Sequence, residues 1–535
     1  MAFDYIIAGG GLCGCTLASR LSETSTVLLI EAGKDVKDHP LTQTPLACMG
    51  AHGSELDWNH KTTPQAGLRG RECYQAAGKA LSGGTAINYG SWTRGPAFDY
   101  DLWAELVGDQ AWSYASMLPY FKRVEHYHGA MDGAHGSSGR IHNISVQTSS
   151  SDRVYPLSEP MLDAWREIGL KKIADGNAGY PIGLGDYVEN FYQGKRQLAS
   201  EAYSLKNVVV VTDATVKRVL FAGRRATGLE LVDGRTFRAE KEVIVAAGAY
   251  KTPQILMLSG VGPKAELERH QIPLVADNED VGRHFHDHFA VAQWWQIKDA
   301  DAGKAMGTPL WTSPAYTMGL ACNHIVVQSH REQLKHVLPE DDALLRDGAA
   351  HTETLIVYAP AMAAVSGQQV PLDGTHMATV VFLMTPTSRG TITLRDAEAT
   401  SMPLIDPAYY TTAADRVTMR QGLRDATRAM TTTRGGRSAI ECERPPKGMA
   451  PLTAQSTDAD IDERIEAIGG TIFHPAGSVA MGKAVDPQCR VKGVEGLRVV
   501  DASVLPLPLC AHYQVVLYAL AEKAADLIQN NTATA

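Results

Sequence analysis

The amino-acid sequence predicts an α/β fold with more than one domain, and three observations support this. A short apolar strand at the start of the chain runs into a glycine cluster and then a helix-like pattern, FDYIIAGGGLCGCTLASRL. A second apolar run, TVLLIEAG, follows at the spacing of one strand–helix–strand unit. The length of 535 residues exceeds what a single hydrophobic core usually supports.

The composition is that of an ordinary globular protein, with 44% hydrophobic and 20% charged residues. Lys and Arg number 50 against 59 Asp and Glu, which gives a net charge of −9, and no basic run stands out. No stretch approaches the roughly 18–20 uninterrupted apolar residues of a membrane span. We therefore expect neither nucleic acid nor a membrane as a partner.

The compartment is suggested by the N-terminal segment and the cysteines. The first residues enter an apolar strand at once, without the basic n-region and long h-region of a secretory signal. The eight cysteines are scattered and show no CxxC spacing, which favours free thiols. We expect a cytoplasmic protein, and a secreted one only if a signal peptide has been removed.

The glycine cluster has the G-x-G-x-x-G spacing at Gly9, Gly11 and Gly14. Between a strand and a helix, the first glycine permits a tight turn and the second lets a pyrophosphate approach the backbone. The third lets the helix pack against the strand. Leu12 and Cys13 then open the helix, whose N-terminal N–H groups favour a bound anion. This pattern predicts a Rossmann-like dinucleotide site.

The second strand strengthens this prediction because it ends at an acid. Glu31 lies 17 residues beyond Gly14, close to the roughly 20-residue spacing of an acid that hydrogen-bonds a ribose diol. Its charge would repel a 2′-phosphate, so NADP is disfavoured. The spacing alone does not choose between NAD and FAD.

Two further segments resemble a known family. GKALSGGTAIN (Gly78–Asn88) and GAYKTPQILMLSGVG (Gly248–Gly262) resemble the signature segments of the glucose–methanol–choline (GMC) oxidoreductases, which are FAD-dependent. The second segment matches at every defining position. The first departs once, because Ser82 stands where the family usually has a glycine. A serine fits there if its φ angle is negative.

The resemblance extends through DYDLWAEL, SRGTITLRD and LRVVDASVLP and is thin in the middle of the chain. It implies a Rossmann-like FAD-binding domain, discontinuous in sequence, and an α+β substrate-binding cap built on an antiparallel sheet. The predicted FAD domain comprises residues 1–95, 200–290 and 466–535. The predicted cap comprises residues 96–199 and 291–465. The FAD is expected to be non-covalent.

The same resemblance implies a set of cofactor contacts. The backbone of Val216 would face the adenine, and Asp501, at a strand end, would lie near the ribityl–pyrophosphate. Trp92 is predicted as part of the substrate wall, with a core tryptophan as the alternative. The full predicted FAD set is Gly9, Gly11, Leu12, Cys13, Gly14, Glu31, Ala32, Gly83, Gly84, Asn88, Tyr89, Gly90, Ser91, Val216, Asp501, Ala502, Tyr513 and Gln514.

Two histidines are predicted to carry the chemistry. An alcohol gives up a hydride readily only as negative charge builds on its oxygen, so a base must lie within hydrogen-bond reach. Histidine, with an ordinary pKa of about 6.5, is neutral but basic near physiological pH. The resemblance places His474, in FHPAGS, and His512, in CAHYQV, at the reacting edge of the flavin. We expect His474 to be the base and His512 its partner, with the reverse assignment open.

The predicted function is oxidation of a small-molecule alcohol to an aldehyde or ketone, with oxygen or another electron acceptor. The alternative is a non-redox lyase or cyclase that uses the same FAD scaffold and the histidine pair for acid/base work.

One segment suggests a metal site. In RHFHDHF, an extended chain would turn His284, His286 and His288 to one face, which suits zinc or copper. Against this, Asp287 and His288 resemble a structural turn of the family, and flavin chemistry needs no metal. We therefore expect no functional metal.

Overall fold

A computed structural model describes residues 2–130 and 133–532. Its strands are β1 (Ala2–Ala8), β2 (Val27–Ile30), β3 (His60–Lys61), β4 (Tyr74–Gln75), β5 (Glu125–Tyr127), β6 (Ile141–Ser145), β7 (Gly183–Asp186), β8 (Val188–Glu189), β9 (Val209–Val211), β10 (Val216–Ala222), β11 (Arg225–Leu231), β12 (Thr236–Val245), β13 (Val261–Gly262), β14 (Ala276–Asp277), β15 (Phe289–Ile297), β16 (Cys322–Gln328), β17 (Thr352–Val357), β18 (His376–Leu383), β19 (Thr391–Thr393), β20 (Leu404–Asp406), β21 (Ile440–Arg444), β22 (Gly470–Thr471) and β23 (Leu497–Val499).

The α-helices are α1 (Leu12–Leu21), α2 (Pro40–Gln43), α3 (Ala97–Val107), α4 (Tyr114–Val124), α5 (Val146–Ser149), α6 (Ser158–Glu167), α7 (Ala199–Ala202), α8 (Gly248–Leu258), α9 (Lys264–Arg269), α10 (Pro314–Thr317), α11 (Arg331–Leu334), α12 (Ala413–Thr432), α13 (Arg434–Ala439), α14 (Asp458–Ile468) and α15 (Tyr513–Thr532).

The first of two large sheets has the predicted Rossmann-like character. Its strands run in the order β10-β11-β12-β1-β2-β9, and β23 also pairs with β12. The pairs β23/β12, β12/β1, β1/β2 and β2/β9 are parallel, whereas β10 and β11 are antiparallel additions. The last four residues of β1 and all of β2 are buried, as expected where helices cover both faces of a parallel sheet.

The last helix, α15, packs against α1 and is buried on nearly every side as far as Ala525. Leu520, Ala521, Ala524 and Ile528 are all buried, and Leu517 is partly buried at the edge of the core.

The second large sheet is antiparallel, in the order β21-β15-β18-β17-β16-β7, with β22 also paired to β15. Every residue of β16, β17 and β18 is buried. The long helix α12 packs on β17 and β18, so these central strands have no solvent-facing side. The antiparallel sheet expected for the cap is confirmed.

The two sheets have separate hydrophobic cores. Several elements cross the predicted division of the chain: β15 spans the boundary at residues 290 and 291, and α14 spans that at residues 465 and 466. In addition, β22, which is predicted in the FAD domain, pairs with β15 of the second sheet. The domain boundaries therefore stay a prediction. All eight cysteines are free thiols, as predicted. Among the described residues, no helix is both long enough and apolar enough to cross a membrane.

Candidate active site

The glycine-rich turn lies between β1 and α1 and is closely packed. Gly9 has a φ of +108°, and a Cβ there would lie 2.4 Å from the carbonyl oxygen of Ala246. A Cβ on Gly14 would lie 1.9 Å from the carbonyl oxygen of Gly9. Gly9 thus makes the turn and Gly14 allows α1 to pack on it, as their positions in the motif predict.

Glu31 lies directly beneath this turn. Its two carboxylate oxygens accept hydrogen bonds from the backbone N–H groups of Gly10 and Gly33, each at 2.7 Å. Burial raises the pKa of Glu31 to about 7, against the lowering effect of these N–H groups. The acid therefore holds the loop together in addition to facing the cavity.

Ser82 differs from the expectation. Its φ is +93°, in the left-handed region rather than at a negative angle. The hydroxyl offsets some of this strain, because Oγ donates to the Ser200 hydroxyl (2.8 Å) and accepts from the Ser200 N–H (3.0 Å). The next residue, Gly83, approaches so closely that a Cβ would lie 2.8 Å from Cα of Gly11. The turn therefore keeps the left-handed backbone conformation typical of glycine, although residue 82 is a serine.

These two glycine loops form one end of a cavity of about 1330 Å³. It is large for a small-molecule site, since ligand pockets are typically about 300–1,000 Å³. The cavity runs from the glycines to His474 and His512 and is lined by all of the predicted FAD residues except Gly14: Gly9, Gly11, Leu12, Cys13, Glu31, Ala32, Gly83, Gly84, Asn88, Tyr89, Gly90, Ser91, Val216, Asp501, Ala502, Tyr513 and Gln514.

Asp501 lines the cavity, but its carboxylate is occupied by the protein. Oδ2 accepts from the N–H of Gly248 (2.9 Å) and the hydroxyl of Thr252 (2.6 Å), and Oδ1 accepts from Ser503. Burial raises the pKa of this acid above its ordinary value. Asp501 thus ties the end of β23 to the start of α8, where the second signature segment begins.

Gln514 connects two of the predicted FAD segments. Its Nε2 donates to the carbonyl oxygen of Ser91 at 2.6 Å, and its Oε1 accepts from the side-chain amides of Asn88 (3.2 Å) and Asn190 (3.1 Å). Asn190 carried no signal in the sequence. This amide cluster joins α15 to the loop of residues 88–91.

His474 and His512 meet at the other end of the cavity. Their ring centroids lie 4.9 Å apart with the ring planes nearly perpendicular, at 86°. The residue before His474, Phe473, has a φ of +68°, which is strained for a bulky side chain. The N–H of His474 then donates to Oδ1 of Asp287 at 2.9 Å. The two predicted catalytic side chains, 38 residues apart in sequence, are brought into contact.

His288 is part of this cluster. Its Nδ1 lies 2.9 Å from Nδ1 of His474, and its Nε2 lies 3.2 Å from the hydroxyl of Tyr513. The adjacent Asp287 also accepts a hydrogen bond from the hydroxyl of Tyr409. The family resemblance predicted a structural turn at Asp287 and His288, but it did not predict the contact between His288 and His474.

Glu353 was missed entirely. It lies in β17 of the second sheet, is fully buried, and has Oε1 at 2.7 Å from Nε2 of His512. Its other oxygen has no hydrogen-bond partner among the described residues. A glutamate within the apolar run TETLIV is a sequence signal that could have identified it, since a buried acid needs a partner.

Burial lowers the pKa of two histidines of this cluster. The pKa of His474 lies well below its ordinary value, chiefly because the ring is buried and also because His512 and His288 are close to it. The pKa of His288 is lowered to about 3, again chiefly by burial. Neutral imidazoles retain a lone pair, which a proton acceptor requires.

Trp92 does not lie on the cavity wall. Its side chain is 1% exposed, its Nε1–H donates to Oε2 of Glu125 at 3.4 Å, and it packs near Tyr518. The substrate-wall prediction for Trp92 is therefore not supported, and the core alternative describes its position. Trp58, in contrast, lines the cavity and stacks on His60.

The RHFHDHF segment does not form a metal site. His284 has a φ of +58°, so the chain is not extended and the three rings do not share a face. His284 pairs with Asp280, His286 contacts the backbone of its own segment, and His288 contacts His474. The physical reason is the backbone reversal at His284.

The wall opposite the glycines is apolar. It combines side chains from the second sheet with the loop of residues 359–372, and its members include Met306, Leu320, Leu355, Val357, Val380 and Phe382. The arrangement as a whole fits FAD. At one end, glycine backbone segments approach closely, and they leave space at a helix N-terminus that suits a pyrophosphate. At the other end, imidazole side chains face the position of a reacting group.

Comparisons with known proteins agree with this fit. Two family models described as GMC oxidoreductase match residues 3–290 and 386–521. The GMC-type oxidoreductase acuG of Aspergillus aculeatus is 42% identical over 536 residues, covering 98% of this chain and 99% of the relative.

Solved structures are similar over the whole chain. A formate oxidase variant of Aspergillus oryzae, solved to study FAD modification, has a TM-score of 0.89 at 28% identity and covers 99% of this chain and 98% of its own. A pyridoxine 4-oxidase from Mesorbium loti has a TM-score of 0.84 at 26% identity, with coverage of 98% and 99%. The chain therefore belongs to the GMC oxidoreductases and is a FAD-dependent enzyme of that family.

Proposed function

We propose that this enzyme oxidises the CH–OH group of a small, largely apolar alcohol to an aldehyde or ketone, with non-covalently bound FAD. The observation that carries the proposal is the contact between His474 and His512 at the end of the cavity opposite the glycine cradle. FAD, when bound, supplies the hydride acceptor. The protein's part is to hold the alcohol and to remove its hydroxyl proton.

The hydrogen bonds suggest how the two histidines divide this work. With Nε2 of His512 donating to Glu353, its Nδ1 is the nitrogen left to meet the substrate. Nδ1 of His474 is engaged with His288, so its Nε2 is the free one. We assign the proton of the His474–His288 contact to His474, which makes Nε2 a proton acceptor and lets Nε2–H of His288 donate to Tyr513.

In this assignment His474 takes the hydroxyl proton, and His512, whose ring is held by Glu353 through Nε2, lies beside it. The alcohol loses one proton to His474 and one hydride from its carbon, which leaves the carbonyl. Burial favours an unprotonated His474, which suits it to the role of proton acceptor.

The side chains on the cavity wall suggest the class of substrate. Leu355, Val380 and Phe382 with the loop of residues 359–372 offer few polar groups to a substrate. An aryl or other apolar alcohol would bury its body there, whereas a sugar would leave its hydroxyl groups without partners. The similar pyridoxine 4-oxidase is named for an aromatic substrate, which supports the same class.

The test is anaerobic mixing of the FAD-loaded enzyme with a panel of aryl, aliphatic and sugar alcohols. We expect aryl alcohols to bleach the oxidised flavin fastest, and His474→Ala to slow this bleaching by about 10²–10⁴-fold with its FAD content unchanged. Unchanged bleaching in that variant would refute the assigned base. Turnover without bleaching and without an electron acceptor would instead establish non-redox chemistry.

The electron acceptor is tested with the same substrates. Oxygen consumption that keeps pace with product formation indicates an oxidase. Reduction of an artificial dye without oxygen consumption indicates a dehydrogenase.

A further inference from the structure

Three histidines lie together outside the active site, on the small sheet formed by β5, β6 and β8. β5 and β6 are parallel, and their register places His126 opposite His142. His128 follows His126 by two residues and so lies on the same side of the chain. All three side chains are partly buried.

The ring nitrogens converge. One nitrogen from each of the three rings lies within 4.8 Å of the others, and Nε2 of His128 is 2.7 Å from Nδ1 of His142. Around a tetrahedral Zn²⁺ with Zn–N distances of about 2.0–2.1 Å, two ligand nitrogens are roughly 3.3 Å apart. The rings are nearly parallel, 14–25° between planes, so they must rotate to face one ion. This rotation uses the broad χ2 torsion of histidine.

Neighbouring groups hold the backbone of the cluster in place. The ring of Tyr192 stacks on His142 at 4.1 Å and on His128 at 4.8 Å. Gln197 accepts from the N–H of His142 at 2.9 Å and donates to its carbonyl oxygen at 2.6 Å. The two hydrogen bonds of Gln197 fix the backbone of His142, which raises affinity for an ion, whereas the stacking on Tyr192 must change as the rings turn.

The cluster is suited to a cation that accepts nitrogen lone pairs. Within the described part of the chain, none of the three histidines forms an ion pair with a carboxylate, and one ring nitrogen of each is directed to the same small volume. Three imidazoles arranged in this way are typical ligands of zinc and related transition metals.

We propose that His126, His128 and His142 bind one divalent first-row transition metal ion, for which Zn²⁺ is the test ion, with a fourth position open to water. This differs from the expectation of no functional metal, and the sequence concealed the site because His142 joins the HYH segment only through strand pairing. Gln197 also donates to the carbonyl oxygen of Asn190, whose side chain reaches Gln514 on the cavity. The ion thus ties β5 to β6 at one end of a hydrogen-bond chain that ends at the active site.

The test is calorimetric titration of the FAD-loaded enzyme with ZnCl₂ after dialysis against a chelator. We expect one Zn²⁺ per chain and a Tm that rises with the free Zn²⁺ concentration, since a ligand of the native state stabilises it. His126→Asn, His128→Asn and His142→Asn should each weaken binding by at least about tenfold. The triple variant should bind none while retaining its FAD.

Two variants locate the binding. His284→Asn removes a partly exposed histidine outside the cluster. His474→Ala disrupts the histidine group of the cavity, which could also bind Zn²⁺. Zn²⁺ binding should persist in both variants. The proposal is overturned if no saturable binding occurs, if the cluster variants bind as the wild type does, or if His474→Ala abolishes the binding. If the triple variant does not fold, the three single variants decide.

Discussion

The two ends of the cavity are built in different ways. Most of the glycine end comes from contiguous sequence: Gly9, Gly14 and Glu31 lie in a single strand–helix–strand unit, against which Ala246 and Gly83 pack. The histidine end is assembled from four distant positions, with Glu353 in β17 of the second sheet and His288, His474 and His512 in loops. A local motif can be predicted from the sequence, whereas a cluster of distant residues can be predicted only in part.

The comparison also concerns what each end can tolerate. The glycine end depends on the absence of side chains, so an added methyl group has nowhere to go. The histidine end depends on hydrogen-bond partners, so a change there should alter chemistry while the cofactor stays bound. Substitutions at each end should therefore separate FAD binding from turnover.

The largest effect is expected for Gly14→Ala. The new Cβ would lie 1.9 Å from the Gly9 carbonyl oxygen, a backbone atom that cannot move without displacing α1 from β1. Although alanine is favoured over glycine in a helix by about 1 kcal/mol, the clash should outweigh this gain and the protein should be isolated without FAD. The flavin-to-protein absorbance ratio and the Tm measure this.

The matched control is Gly176→Ala, where the added Cβ would meet only a side-chain atom of Ile173 at 3.9 Å. FAD content should be unchanged in that variant. A Gly14→Ala protein with full FAD would show that the close packing of the turn is not required for binding.

The next effect is expected for Glu353→Gln. Removing the acid leaves Nε2 of His512 without its charged acceptor, and such a hydrogen bond is worth about 1.5–3 kcal/mol. Flavin reduction, followed by stopped-flow absorbance, should slow by about 10- to 100-fold with FAD retained.

Glu443→Gln is the comparison for Glu353→Gln, because Glu443 is a buried acid of the same sheet that pairs with Arg464 away from the cavity. It should lower the Tm and leave the rate of flavin reduction close to that of the wild type. Equal rates of flavin reduction in the two variants would show that Glu353 has only a structural role.

A smaller effect is expected for His288→Phe, which removes the ring nitrogen that contacts His474. Loss of a single neutral hydrogen bond, about 1 kcal/mol, should slow flavin reduction by roughly fivefold. His288→Asn should recover part of the rate, since its amide oxygen can take the place of Nδ1. The rates are measured by stopped-flow absorbance, with His284→Phe in the same segment as the control. Equal rates for His288→Phe and wild type would contradict the positioning role.

The smallest effect is expected for Trp92→Phe. Trp92 packs in the core away from the cavity, and its hydrogen bond to Glu125 is long at 3.4 Å. The KM for the best alcohol should stay within about twofold of the wild type, and the free energy of unfolding should fall by about 1 kcal/mol or less. Phe382→Ala, on the cavity wall, should raise the KM clearly. A larger increase in KM for Trp92→Phe than for Phe382→Ala would show that Trp92 contacts the substrate.

The sequence was informative wherever neighbours in the chain are neighbours in space. It predicted the strand–turn–helix unit and, through the family resemblance, the antiparallel character of the second sheet. It also singled out His474 and His512, whose rings are in contact in the structure. Ser82 shows a limit of this reasoning: the letter differs from glycine, yet the backbone there is still left-handed, because Ser200 satisfies the hydroxyl.

Only the tertiary structure decided which groups accompany the histidines. The sequence could not reveal that Glu353 from β17 meets His512, that His288 contacts His474, or that Trp92 faces the core, because each contact joins segments that are distant in the chain. The His126–His128–His142 cluster has the same cause, since strand pairing creates it. The spacing of residues predicts local chain geometry. Contacts between distant segments depend on strand register and packing, and no short sequence pattern specifies these.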